Sequence, residues 1–202
     1  NFYKRILVLL IIYSSSRFIF YIVNIDAFKH NVISSMFEGI RFDISALLYI
    51  NIPVLILLIF PSDIRGNIYY KRLINIVFYL VNIPFIIINN VDIEYYKFSF
   101  KRTTSDFFEY MTVGGGVDAT TIIPKYIIDY WIVTLVSIFQ IFILIKINYN
   151  KSSNIRSYTK SILIFLFSIM IFIIGARGGV QLKPINIIDA GSLTNNEENR
   201  IL

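Results

Sequence analysis

The sequence predicts an all-α membrane protein of five transmembrane helices, amino terminus inside and carboxyl terminus outside. An amphipathic interfacial helix is expected in the outer loop between spans three and four. Three observations carry this expectation. Hydrophobic residues make up 56% of the 202 and mean hydropathy is +0.66, too apolar for a water-soluble globule of this length. Only 16% of residues are charged, leaving room for about five apolar stretches of about 20 residues, the number that crosses roughly 30 Å of hydrocarbon. The cations, finally, concentrate at alternate connections between those stretches.

Span one covers residues 6–23, preceded by Lys4 and Arg5. Within it Ser14, Arg17, Tyr21 and Asn24 recur at steps of three and four, which places them on one helical face. A cation near mid-span costs about 2.5 to 3.5 kcal/mol on insertion scales, so Arg17 should turn to protein or water and find a partner, unless it snorkels outward. Residues 24–39 read as a loop or short interfacial helix.

Span two covers 40–60 and opens on GIRFDISALLYINIP. Arg41 and Asp43 stand two apart at its mouth, too close to face each other on a helix, so each should pair across to a neighbouring helix. Pro61 ends the span, and a short loop carries Arg65, Lys71 and Arg72.

Span three covers 73–91. Asn75, Asn82 and Asn89, seven apart, keep three amides on one stripe turned into a bundle, as interhelical ties or as substrate contacts. Pro84 frees the carbonyl of Leu80 and is expected to kink the helix near its middle.

The outer loop, 92–124, begins with Asp92 and the aromatic belt Tyr95, Tyr96, Phe98 and Phe100, and reaches Lys101 and Arg102. Aromatics grouped with charges over IEYYKFSFKRTTSDFFEYM suit a helix lying in the interface, and Thr103 or Thr104 could cap its turn at Ser105 and Asp106. The run GGGVDATT lacks the Lys-Ser/Thr continuation of a phosphate-binding P-loop and reads as a flexible turn.

Span four covers 126–147, with Trp131 at interface depth. Span five covers 161–175, where Ser161, Ser168 and Gly175 form a small-residue stripe suited to close helix contact. A Gly-rich polar linker, 176–202, closes the chain.

Orientation follows from the cations. Lys4, Arg5, Arg65, Lys71, Arg72, Lys146, Lys151, Arg156 and Lys160 fall on one side, which marks it as cytoplasmic, whereas acids including Glu38, Asp92, Glu94, Asp106 and Asp118 offset the cations opposite. Arg41, Asp43, the outer loop and Arg177 then share the outer face. With the net charge of +6 spread over loop ends, no nucleic-acid partner is expected. Zero cysteines and the single His30 exclude a thiolate nucleophile and any Cys or His metal cluster. The chain begins at Asn1 rather than Met, read as a trimmed amino terminus.

GIRFDISALLYINIP, NNVDIEYYKFSFKRTTSDFFEY, PKYIIDYW and GARGGVQLKPI together resemble the amino-terminal membrane region of the lipoteichoic acid synthase-like sulfatases, of the alkaline phosphatase superfamily. The resemblance runs from Gly39 over nearly the whole remaining chain. It implies five spans in a bacterial cytoplasmic membrane and an extracytoplasmic catalytic domain beginning after Leu202. That domain would use a threonine nucleophile and a divalent metal (Mn, Mg or Zn) to transfer phosphoglycerol or a related headgroup from a membrane phospholipid. The present segment would anchor that domain and present the lipid without cofactor or catalytic residue of its own.

On this reading the headgroup contacts are Arg41, Lys101, Arg102 and Arg177, since cations form charge-assisted bonds to phosphate. Asp43, Asn89, Asn90, Asp92 and Asp106 would organise them, or the same residues would form a structural network joining spans two, three and five. The expected partners are membrane phospholipid, the chain's own catalytic domain and possible further copies. Two other classes compete: a structural or docking subunit of an envelope complex, and a transporter, for which no internal repeat is found.

Overall fold

The computed structural model describes residues 2–28, 32–59, 67–102, 119–146 and 158–179. Among them every regular element is helical: α1 (Phe2–Val23), a 3-10 turn (Ile25–Ala27), α2 (Val32–Ile50), α3 (Ile52–Ile59), α4 (Ile68–Ser99), α5 (Ala119–Asp129), α6 (Trp131–Lys146) and α7 (Tyr158–Ala176). By length and apolarity α1 and α4 suffice to cross a membrane, and the α2–α3 pair, bent by 56°, makes a third candidate. Two shorter apolar helices are α6 and the Phe167–Ala176 part of α7.

Helix boundaries depart from the expected ones where polar residues turn inward. Helix α2 starts at Val32 rather than at residue 40, because Ser35, Gly39, Asp43 and Leu47 form a buried stripe at steps of four against α1. Small residues there let the two backbones approach, so letters that read as a loop or short interfacial helix are a packing face. The span then bends at Asn51. Pro53 has no N–H for the carbonyl four residues back and its ring crowds that carbonyl, while the Asn51 side chain donates to the Leu47 carbonyl at 2.8 Å.

Helix α4 runs eight residues beyond the expected end at Val91 and passes through Pro84 without ending. Residues 92–99, assigned from sequence to the outer loop and its interfacial helix, therefore continue α4. Asp92, Ile93 and Tyr96 lie on its buried side. The helix stops at Phe100, whose left-handed backbone (φ 53°) lets its N–H still reach the Tyr96 carbonyl at 2.9 Å. The remainder of the expected interfacial helix, with Thr103, Thr104, Ser105 and Asp106, and the glycine run fall outside the described residues. The fourth expected span divides at Tyr130 into α5 and α6, and α5 includes Pro124.

Side-chain contacts set the helix directions. Arg5 meets Asn75 and Asn24 meets Ile93, so α1 and α4 run parallel. Arg17 meets Met36 and Asp43 near the start of α2, and the Tyr70 hydroxyl at the start of α4 donates to Leu57 of α3, so α2–α3 runs the other way. Tyr126 reaches Val91 and Tyr79 reaches Ile145, each at 3.5 Å, making α6 antiparallel to α4. Tyr3 donates to Ser168 and Ser45 to Ala176, so α7 is parallel to α1. Successive long elements thus alternate in direction.

Helix α1 is central, packing on α2, α4 and α6, while α7 packs on α2 at the margin. Leu9, Ile12, Leu47, Val54, Phe78, Ile86 and Leu144 fill the interior. Leu7, Ile11, Phe18 and Ile22 on α1 and Ile138, Phe142 and Ile145 on α6 face outward, as helices solvated by lipid require.

Candidate functional site

The polar residues gather at the end of the bundle where α1 finishes, α2 starts and α4 finishes. Arg17, in the last two turns of α1, is 7% exposed and donates from Nη2 to Asp43 Oδ1 at 2.5 Å. Its other terminal nitrogen points to the Met36 carbonyl at 3.4 Å and lies against Gly39, where a Cβ would stand only 1.9 Å away. Glycine is needed there for space: the guanidinium occupies the volume of a side chain. A buried charge without a partner costs several kcal/mol, which explains why the cation and the acid of adjacent helices find each other.

Arg102, just past the end of α4, folds back over the Phe20 ring of α1, its guanidinium carbon 5.0 Å from the ring centroid. Burial pushes this guanidinium down from its ordinary range, and the Asp92 and then the Asp43 carboxylates oppose that shift. Arg17 is within electrostatic reach of Arg102, and Asp43 of both. Two cations and two acids from α1, α2 and the end of α4 therefore form one compact, charge-balanced cluster.

Beneath it lies a ring of neutral groups. Ser16 Oγ donates to Asn90 Oδ1 (3.0 Å), Asn90 Nδ2 to Gln140 Oε1 (2.7 Å), and Gln140 Nε2 back to Ser16 Oγ (2.9 Å), closing a cycle across α1, α4 and α6. Deeper still, Asn51 and Asn82 exchange amide bonds at 2.9 and 3.0 Å, and Arg5 donates to Asn75 at 2.7 Å under the Phe78 ring. Arg5 is 3% exposed, so this cation, counted from sequence toward orientation, is a buried tie between α1 and α4.

The start of α2 also holds the end of α7. The backbone there closes in a Schellman motif, Gly179 N–H to Ile174 at 3.0 Å and Gly178 N–H to Gly175 at 2.9 Å, with Gly178 left-handed at φ 73°. Two terminal carbonyls take donors from α2: Ser45 Oγ donates to Ala176 and Arg41 Nε to Gly178. Arg41 and Ser45 are four apart and share a face, and a cation at a helix carboxyl end meets the negative end of its dipole.

Each residue singled out from the sequence can now be located. Arg41 caps α7, and Asp43, Asp92 and Arg102 belong to the charged cluster. Asn90 is in the neutral ring, whereas Asn89 is half-buried beside it and enters none of the bonds just described. Lys101 and Arg177 present exposed side chains at the same end, and Phe98 and Phe100, each 71% exposed, stand beside Lys101. Asp106 lies outside the described residues. Ser16, Gly39, Ser45, Asn51 and Gln140 were not singled out: lone serines, glycines and amides in apolar runs carry no periodic signal. Among the described residues no three His, Cys, Asp or Glu side chains gather as a metal ion would require.

Comparison with protein-family models, with curated proteins and with solved structures finds no match for this chain.

Proposed function

We propose that this chain is a five-span membrane domain, amino terminus inside and carboxyl terminus outside, that anchors an extracytoplasmic phospho-headgroup transferase and presents its lipid donor. The alternating directions of α1, α2–α3, α4, α5–α6 and α7 support five passes, and the distribution of cations supports the orientation. The transferase assignment rests on the sequence resemblance, which also implies that the threonine nucleophile and divalent metal belong to a separate extracytoplasmic domain.

The observation that carries the lipid-presenting role is the convergence of Arg41, Lys101, Arg102 and Arg177 at one end of the bundle. On this reading their labour is divided. Arg41 and Arg102 bond within the protein and hold the platform together. Lys101, exposed beside Phe98 and Phe100, meets the headgroup phosphate with Arg177, whose side chain is also exposed at this end, and the two phenylalanines set depth in the interface.

Photo-crosslinking of tail-labelled phospholipids to the protein in nanodiscs tests this role. An anionic lipid should crosslink beside residues 98–102 and 177, and Lys101→Ala with Arg177→Ala should abolish its preference over a zwitterionic lipid. Equal crosslinking of both lipids by the unaltered protein would sink the proposal. A structural subunit is the second reading, favoured by the inward engagement of Arg41 and Arg102. A stoichiometric partner retained through purification would support it.

A further inference from the structure

Four buried side-chain polar atoms make no hydrogen bond among the described residues, and they are Tyr13 Oη, Arg17 Nε, Asp43 Oδ2 and Arg102 Nε. All four belong to one neighbourhood. Arg17 and Asp43 are in contact at 2.5 Å, Tyr13 lies one helical turn before Arg17 and within electrostatic reach of Asp43, and Arg102 acts on both members of the pair. Elsewhere in the bundle the buried amides and hydroxyls of Ser16, Asn51, Asn82, Asn90 and Gln140 have protein partners at 2.7 to 3.0 Å. The deficit is therefore local, and a buried polar atom left without a partner costs about 1 to 3 kcal/mol.

The unmatched set has a definite chemistry: two N–H donors, one carboxylate acceptor and one hydroxyl able to do either. A phosphate or carboxylate oxygen would suit the two guanidinium groups but would be repelled by Asp43 Oδ2, and with Asp92 the cluster already balances two positive charges with two negative ones. A metal cation would suit Asp43 and Tyr13 but not the two arginines. A neutral oxygen carrying its own hydrogens suits every one of the four. Water accepts from N–H groups such as Arg17 Nε and Arg102 Nε and donates to a carboxylate or hydroxyl such as Asp43 Oδ2 and Tyr13 Oη, so one or more water molecules match the chemistry of the set. We propose that the space between Tyr13, Arg17, Asp43 and Arg102 is a binding site for ordered water, which hydrates the Arg17–Asp43 pair inside the bundle. This inference does not depend on the lipid-presenting role.

Hydroxyl-radical labelling of the intact protein in lipid nanodiscs, with radicals generated by a millisecond X-ray pulse, reads such a site directly. Bound water yields radicals in place and marks the side chain beside it even where bulk solvent does not reach. Tyr13 should be oxidised several-fold more than two buried aromatic controls away from the site, Phe78 in the dry interior and Phe172 on α7, after correction for intrinsic reactivity. Its oxygen should carry the isotope when the sample is mixed with heavy-oxygen water before the pulse. Labelling of Tyr13 no greater than that of Phe78 would overturn the proposal, as would uniform labelling of all three, which would mean general water penetration.

Discussion

The Arg17 guanidinium lies where the side chain of residue 39 would begin, its Nη1 only 1.9 Å from the position of a Cβ on Gly39. Arg17 is the end of a flexible chain and could swing aside in an open site, but here it is buried and held at 2.5 Å by Asp43. Gly39→Ala should therefore break or distort that pair. Alanine favours a helix over glycine by about 1 kcal/mol, whereas breaking a buried pair costs about 3 to 5 kcal/mol, so the expected net loss is roughly 2 to 4 kcal/mol. Thermal unfolding in detergent checks the sign, and a stabilised Gly39→Ala protein would refute this account of the contact.

The same pair predicts non-additive behaviour. Arg17→Met leaves Asp43 buried without its cation, and Asp43→Leu leaves Arg17 without its anion, so each alone should lose about 3 to 5 kcal/mol. The double variant removes both charges and should be less destabilised than the two singles summed, by on the order of 1 to 3 kcal/mol. Additive losses in a double-mutant cycle would mean that the two side chains do not act on each other in the folded protein.

Farther along the bundle, Asn51 and Asn82 exchange two amide bonds between the α2–α3 bend and α4. Asn82→Ala should cost about 1 to 2 kcal/mol, at the upper end for interhelical hydrogen bonds in membranes, because it removes two bonds and orphans Asn51 Oδ1, while Asn51 Nδ2 keeps the Leu47 carbonyl. Since the chain has no cysteine, Asn51→Cys with Asn82→Cys gives a clean proximity test. A short thiol crosslinker should bridge the two, the amide pair standing too far apart for a direct disulfide, and failure to bridge them would contradict the packing of the α2–α3 bend on α4.

The sequence made Arg17 legible as a cation in need of a partner, yet could not name Asp43, because spacing within one helix says nothing about which helix comes beside it. The start of α2 was hidden for a related reason: Ser35, Glu38 and Gly39 read as a connection until α1 supplies the surface that Ser35 and Gly39 pack against. On α4 the seven-residue spacing of Asn75, Asn82 and Asn89 suggested one fixed stripe. The buried line instead runs Ile74, Phe78, Asn82, Ile86, Asn90, drifting about 40° with each step of four. It drifts because 3.6 residues make a turn, and α1 and α6 cover α4 at both ends while α3 joins them near its start, which brings Asn90 rather than Asn89 to Ser16 and Gln140. Hydropathy gave the helices; the identity of their neighbours decided which polar residues meet.

The hold of α2 on the end of α7 gives a further test that separates a structural from a headgroup role for Arg41. Leu48 and Phe172 pack together across these helices, so Leu48→Cys with Phe172→Cys should be bridged readily by a short thiol crosslinker in an otherwise cysteine-free chain. Arg41→Ala removes the donor to Gly178, and Ser45→Ala the donor to Ala176. Both orphan a carbonyl at a helix end, where each lost bond is worth about 1 kcal/mol and the cation contributes a further few tenths through the dipole. Together they should let the end of α7 separate from α2 and lower the crosslinking yield several-fold, with Arg41→Lys recovering only the dipole part of the loss. If the yield is unchanged while lipid crosslinking near residue 177 falls, Arg41 acts on the headgroup and its bond to Gly178 is incidental. If the yield falls first, the arginine works by fixing where α7 leaves the membrane.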